Sequence, residues 1–472
     1  MIVSAPPRRP SPPLPPPAPD PEALIEEARQ RQRARRRRLA VTVLAVTALG
    51  SGAFVALAGG ASHGRTTSGE RPRAVASRTC PGVNLGTVAF VRGSALAAVD
   101  LRTCATRVLV PRGVVGPVQI SADGRYVAFN GGFVASGGGA VRHTHGAGIW
   151  SPSGDLLAVT TAKGGLALVA PNGATRTLLP DGWGATTFAF SPNGRMLAVT
   201  RSLYAGPSVP PPYHQEIWTI DLATGRPHLI FRQAPGVLGP PWLAGYSPDG
   251  HWLTFWIDTQ NSASLAADGL PLLAIRAAGG RPVQIAGGEL HYRDFMTWCG
   301  NALVYVVDHG GRLVTQGDGV AAASPPAWRR RTILPAGGPT SWNSVACPTA
   351  AASARGGGGL AIAAGPSSSR SMNAPPGSER RSIWLAAPTS GTKPALLAQT
   401  VPPRGQTDEL PMWSGDGRWI LFVRTKPHSH GAGSLYALDP FGGNLVGPIA
   451  QIGRSDAYYG AYGWAERLDW HR

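Results

Sequence analysis

The residues of this chain that could do chemistry are few. His143-Thr144-His145 and His428-Ser429-His430 are His-x-His pairs. On a strand, two histidines one residue apart share a side and could hold a metal ion. Both pairs lie beside glycines, where a loop is the alternative and the spacing fixes no geometry. Asp308-His309 offers half of a catalytic triad, but residues 80–472 hold no Gly-x-Ser-x-Gly nucleophile elbow. No phosphate-binding glycine loop leads into a helix, and Gly356 to Gly359, flanked by small residues, reads as a flexible loop. Asp123, Asp249 and Asp416 recur in one setting, a short turn. Acidic residues there accept hydrogen bonds from the local backbone, so they read as turn formers rather than catalytic carboxylates. Together these residues point to no cofactor and no metal site, and they favour a binding protein over an enzyme.

The turn that holds these acids organises the chain. Tyr246-Ser247-Pro248-Asp249-Gly250 is followed by Trp252-Leu253-Thr254-Phe255, a strand end, a tight turn and a second strand. Proline presets φ, the acid caps backbone N–H groups, and glycine takes the positive φ. The unit returns at Ser121, Ser151, Ser191 and Ser414. Degenerate copies lie at Trp298-Cys299-Gly300-Asn301 and Ala346-Cys347-Pro348, and a first copy starts at Cys80-Pro81-Gly82. Glu216 to Leu222, a turn at Ala223-Thr224-Gly225 and Arg226 to Ile230 complete the unit. Four antiparallel strands per repeat make a propeller blade. With 62 Gly, 45 Pro and 15% charged residues, the expected fold class is all-β: a β-propeller of about eight four-stranded blades. Seven follow instead if the short repeat at 121–150 is not a whole blade.

Ser247-Pro248-Asp249-Gly250 with Trp252-Leu253-Thr254-Phe255, and Ser434-Leu435-Tyr436-Ala437-Leu438-Asp439, resemble the repeats of TolB-like, or WD-like, β-propellers. The resemblance covers about residues 80–465. It implies the fold and leaves function broad, because such propellers serve as protein-binding platforms and as accessory domains of peptidases. On that fold, Tyr458 to Trp464 is expected to supply the innermost strand of the first blade and so close the ring. Closure removes open sheet edges. Within a blade the first and third turns share a face, so Cys80 is expected to pair with Cys104. Cys299 and Cys347 occupy equivalent turns of neighbouring blades and are expected to pair with each other. An even cysteine count in an extracytoplasmic domain agrees with disulfides. Trp218, Trp256, Trp384 and Trp419 are expected to pack between blades.

Residues 1–38 form a Pro/Arg-rich segment ending in an Arg cluster, read as a disordered cytoplasmic tail. Residues 39–60 carry no charge and have the length of a transmembrane helix. The positive-inside rule then places the tail in the cytoplasm and the propeller outside the cell membrane, as a single-pass protein. A cleaved signal peptide ending near Ala56-Leu57-Ala58 is the alternative. Residues 61–79 read as a linker and 80–472 as the propeller. The net charge is +18, and nine Arg and four acids fall within the tail. The rest is scattered, which argues against nucleic acid and for an envelope or extracellular protein, peptide or glycan, with acidic character favoured by steering. The longest insertions follow the second strands of their blades, at 202–215, 258–269, 365–381 and 425–433. They should share one face, opposite the disulfides, with Tyr204, Tyr213, His214, Arg370, Arg380, Arg381, Lys426 and His428 as the candidate binding face. The leading function is a membrane-anchored binding platform. A hydrolase or lyase with its site in the propeller channel, or a transmembrane sensor, are the alternatives.

Overall fold

A computed structural model describes residues 80–471, apart from 203–214, 235–238, 259–268, 290, 292, 308–318, 336–339, 349–358, 367–379, 388–394, 427–431 and 455–463. These residues form eight four-stranded antiparallel sheets, each a blade. The short repeat at 121–150 is a whole blade, built from Val115–Ile120, Tyr126–Asn130, Gly132–Ala135 and Arg142–His143. The count is therefore eight, not seven.

Blade 5 shows why these residues become blades. Pro241–Tyr246 reaches the Ser247 turn, Trp252–Ile257 returns, and Leu270–Arg276 and Val283–Glu289 complete the sheet. The Ser247 hydroxyl donates to Asp249 Oδ1 and accepts from the Trp252 N–H at 3.0 Å, while the His251 N–H donates to Asp249. Gly250 takes φ 73°. The same bonds recur at Ser121 with Asp123, Ser191 with Asn193 and Ser414 with Asp416. Second strands such as Trp252–Ile257 are apolar almost throughout because both faces of each blade pack on a neighbour. One cluster joins Val91 and Leu96 of blade 1 to Ile120 and Phe129 of blade 2. Another joins Leu421 and Val423 of blade 8 to Val88 and Phe90 of blade 1. Trp218, Trp256, Trp384 and Trp419 all lie in or against such clusters.

The ring closes in the expected manner but with a later segment. The strand that pairs with Thr87–Arg92 is Leu468–His471. Trp464, expected in the closing strand, instead opens a one-turn helix, Trp464–Arg467; Tyr458 to Gly463 lie outside the described residues. The physical reason is in the pattern Leu468-Asp469-Trp470. Leu468 and Trp470 are buried in the cluster between blades 8 and 1, and the Trp470 indole N–H donates to the Leu85 carbonyl at 2.7 Å. Asp469 points the other way and accepts from the Ile120 N–H at 2.7 Å.

That last bond is one of a series. The innermost strands have no partner on their channel edge, and side chains from one blade cap backbone N–H groups of the next. Gln119 Oε1 accepts from Trp150 N at 2.8 Å, Thr187 Oγ1 from Leu243 N at 3.3 Å, and Ser344 Oγ from Leu410 N at 3.1 Å. An uncapped buried N–H would cost about 1–3 kcal/mol.

Both expected disulfides are present, Cys80–Cys104 and Cys299–Cys347. Cys104 holds the left-handed turn position (φ 55°) that Gly225 and Gly443 hold in blades 4 and 8. No helix among the described residues is long and apolar enough to cross a membrane. Residues 39–60, expected to do so, lie outside those described, as do the tail and the linker.

Candidate functional site at the channel mouth

The first strand of each blade starts at one end of the channel and runs to the Ser-Pro-Asp-Gly turns at the other. The end opposite those turns receives the long insertions, because the strands ending at Ser202, Ile257, Pro366 and Thr425 all finish there. At this mouth lies a chamber of about 570 Å3. Its wall includes Thr187, Trp242, Trp256, His291, Asp294 and Asp469, with Arg293 and Glu466 also lining it. A second cavity of about 440 Å3 lies toward the turns and is walled mainly by Ile149, Trp150, Phe188, Tyr246 and Trp298.

The mouth concentrates charge, most of it paired. Asp408, wholly buried on the first strand of blade 8, is forked by Arg424 at 2.6 and 2.8 Å. Burial works against the Arg424 charge, and the bonds to Asp408 outweigh it, so the guanidinium is held firmly protonated. Glu409 accepts from Arg381 Nη2 at 2.5 Å and from the Trp464 indole N–H at 3.1 Å. Glu216, on blade 4, accepts from Arg232 at 2.8 Å and from the Trp218 indole at 2.9 Å, with Arg201 at 3.4 Å. Burial opposes its charge, but these donors hold its carboxyl below the usual range.

Burial pushes the Asp408 carboxyl up to about 7 even against the Arg424 bonds; Asp294 differs from it in its partners. It lies on a short turn, Arg293–Phe295, that leads into the first strand of blade 6. Enclosure by the ring pushes its carboxyl up to about 7. Its own backbone N–H works the other way, and the charges of Glu409 and Glu466 add to the rise. Among the described residues no ion pair joins Asp294 to Arg293 or to any other cation. The wall beside it is aromatic: the His291 ring stands edge-on to Trp242 at 4.6 Å and to Trp256 at 6.4 Å. Such a chamber can seat a ligand, and its carboxyl can hold or release a proton near neutral pH.

The expected binding-face residues divide three ways. Arg380 is exposed and donates to the Pro402 carbonyl, at 2.8 Å from Nη2. Lys426 is exposed at the mouth end of Ile420–Thr425. Arg381 corrects the expectation. It is only 1% exposed, because its guanidinium turns inward to Glu409. Tyr204, Tyr213, His214, Arg370 and His428 lie outside the described residues, with His430, Asp308 and His309. His143 and His145 are exposed, and among the described residues no three His, Cys, Asp or Glu are placed to hold a metal ion. Asp294, Glu409, Glu466 and Asp469 were not anticipated from the sequence. Their signal is position: an acid within a first strand, or just before one, must lie on the channel.

No family model matches the chain. A stretch of 101 residues, 21% of the chain, is 34% identical to the Tol-Pal system protein TolB of Gluconobacter oxydans, and it spans 22% of that protein. Among solved structures, one of two prolyl endopeptidases is similar over 82% of this chain and 50% of its own, at 13% identity and a TM-score of 0.46. A putative TolB from Agrobacterium tumefaciens is similar over 54% of this chain and 91% of its own, at 17% identity and a TM-score of 0.32. At these identities the likeness concerns propeller architecture alone, which the eight sheets display directly.

Proposed function

We propose that this protein is an extracytoplasmic propeller that captures a protein, peptide or glycan at the channel mouth. The observation that carries this reading is the contrast in closure between the chamber and its surroundings. The mouth carboxylates of Asp408, Glu409 and Glu216 are each closed by an arginine, while Asp294 opens into a cavity of about 570 Å3 with no cationic partner among the described residues. Cavities of this size on rigid scaffolds commonly receive ligands. The stretch similar to a Tol-Pal system protein, a component of an assembly by its name, supports a partner-binding role. Two disulfides support an oxidising compartment. Residues 39–60 would anchor the chain, with 1–38 as a cytoplasmic tail and 61–79 as the linker. The net positive charge beyond the tail would steer a partner with an acidic surface.

The test is a crosslinking pulldown of the anchored, full-length protein from its own envelope, with loops 203–214 and 367–379 replaced by short Gly-Ser links that leave the flanking strands and Arg381 in place. Loss of the captured partner with unchanged thermal unfolding supports the mouth as the docking site. Capture that survives both replacements rejects it.

A second reading, a hydrolase or lyase acting in the channel, is favoured by the Asp294 carboxyl near 7, a value suited to general acid–base work. Turnover of an envelope peptide or glycan that disappears in Asp294→Asn would establish it over simple capture.

A further inference from the structure

We infer that the mouth chamber is a receptor for an organic cation, an ammonium or guanidinium group that enters along the channel axis and meets Asp294. The inference rests on the partner-binding reading and names the chemistry by which the partner is held.

Three observations carry it. The first is the charge left over inside the chamber. Of the carboxylates near the mouth, Asp408 has Arg424, Glu409 has Arg381, and Glu216 has Arg232 and Arg201. Asp469 accepts a backbone N–H from blade 2. Asp294 and Glu466 line the cavity with no ion pair to any described residue. Asp294 therefore lies in an enclosed place where two neighbouring acids disfavour its charge and no cation among the described residues pairs with it. A cation entering the chamber would remove that imbalance.

The second is the wall. Trp242, Trp256 and His291 line the same chamber, braced edge-on against one another. A carboxylate beside aromatic rings suits organic cations, which gain from ring faces as well as from charge. A hydrated divalent ion would need converging oxygen ligands, and the described residues offer no group of three. The third is an unspent donor. Trp256 is 2% exposed, and its indole N–H has no hydrogen-bond partner among the described residues. A ligand bearing an acceptor near its cationic group, as a peptide does, could draw this donor into use after a small ring movement.

The cation has two chemical sources, a free polyamine or a basic side chain on a peptide, and the experiment separates them. Full-length protein in detergent is titrated with spermidine, with a short Gly-Ser peptide carrying one arginine, and with its citrulline counterpart. Binding is followed by calorimetry. The arginine peptide should bind and the citrulline peptide should not. Asp294→Asn should weaken binding about tenfold or more, as expected for loss of a charged partner. Glu466→Gln, an exposed position that leaves the core untouched, should weaken it by a smaller factor. Tighter binding of spermidine than of the peptide would assign the site to free polyamines. Equal binding of arginine and citrulline peptides, an unchanged affinity in a folded Asp294→Asn protein, or no binding of either cation at millimolar concentration would overturn the inference. If the probes fail while the loop replacements still abolish partner capture, this inference falls and the partner-binding reading stands. If the probes bind while capture ignores the loops, the reverse holds.

Discussion

The two ends of the channel use the same residue type in opposite ways. At the turn end, Asp249 and Asp155 are each held below the usual carboxylate range, first by hydroxyl donors from the neighbouring serines. These acids lie near water, and their partners come from the same turn. At the mouth, enclosure pushes Asp294 up to about 7, and its neighbours are other acids. A carboxylate supplied with donors by its own turn stabilises the scaffold wherever the turn is repeated. An enclosed carboxylate needs a partner from elsewhere in the chain or from outside it. Asp408 and Glu409 have found theirs in Arg424 and Arg381. Among the described residues Asp294 has no such partner, which leaves its charge to be met from outside the scaffold.

Removing the partner of a paired mouth acid should make it resemble Asp294. Arg424→Met leaves Asp408 buried without its fork, and the expected cost is about 3–5 kcal/mol, measured by denaturant unfolding. Asp408→Leu combined with Arg424→Met should recover most of it, since no buried charge remains. If Arg424→Met alone is nearly neutral, the mouth pairs are not what keeps that end closed. The turn end has its own covalent clamp. Replacing Cys299 and Cys347 by serine frees a loop of 48 residues between blades 6 and 7. It should cost about 2–4 kcal/mol, with little effect on cation binding at the mouth.

Asp294→Asn should act with the opposite sign. Its carboxyl titrates higher in the folded protein than the usual 3.8, so the folded state binds the extra proton between about pH 4 and pH 7. Stability from this residue is fully present at low pH and is lost as pH rises through about 7. The asparagine variant should therefore match the parent near pH 4 and exceed it near pH 8, by about 1–2 kcal/mol once chamber water is allowed for. Thermal unfolding at the two pH values checks this. A variant less stable at pH 8 would mean that Asp294 has a cationic partner after all.

The turn end was readable in the sequence because everything it needs is local. Ser247, Asp249 and Gly250 contact one another within four residues, so the word and the structure coincide. Cys104 was equally readable, standing at the third turn of its blade, where blades 4 and 8 place Gly225 and Gly443. The mouth was not, because its contacts join distant segments. Arg381 meets Glu409 across 28 residues, and Trp464 meets Glu409 across 55. Nothing near Arg381 in sequence announces that it turns inward, so a charged loop-edge residue reads as exposed. The closing strand was placed too early for a related reason. Tyr458 to Trp464 has the aromatic composition of a first strand, but Leu468-Asp469-Trp470 alone offers two core residues flanking one channel acid.

The smallest expected effect tests the turn end directly. Ser247 is 1% exposed, and its hydroxyl both donates to Asp249 and accepts from the Trp252 N–H. Ser247→Ala should cost about 1 kcal/mol, the net worth of such bonds. It should also move Asp249 back toward the ordinary carboxylate range, since the serine hydroxyl is the leading cause of its depression. The depressed value means that this acid contributes stability above about pH 4, lost as pH falls through the folded-state value. The alanine variant should therefore lose less on acidification than the parent, which unfolding at pH 3 and pH 7 would reveal. The repeat adds a second check. The turns at Ser121, Ser191 and Ser414 make the same bonds in separate blades, so the four alanine costs should add. Costs that add show turns acting as independent local units. Costs that compound would show that the turn end, like the mouth, is held together around the ring.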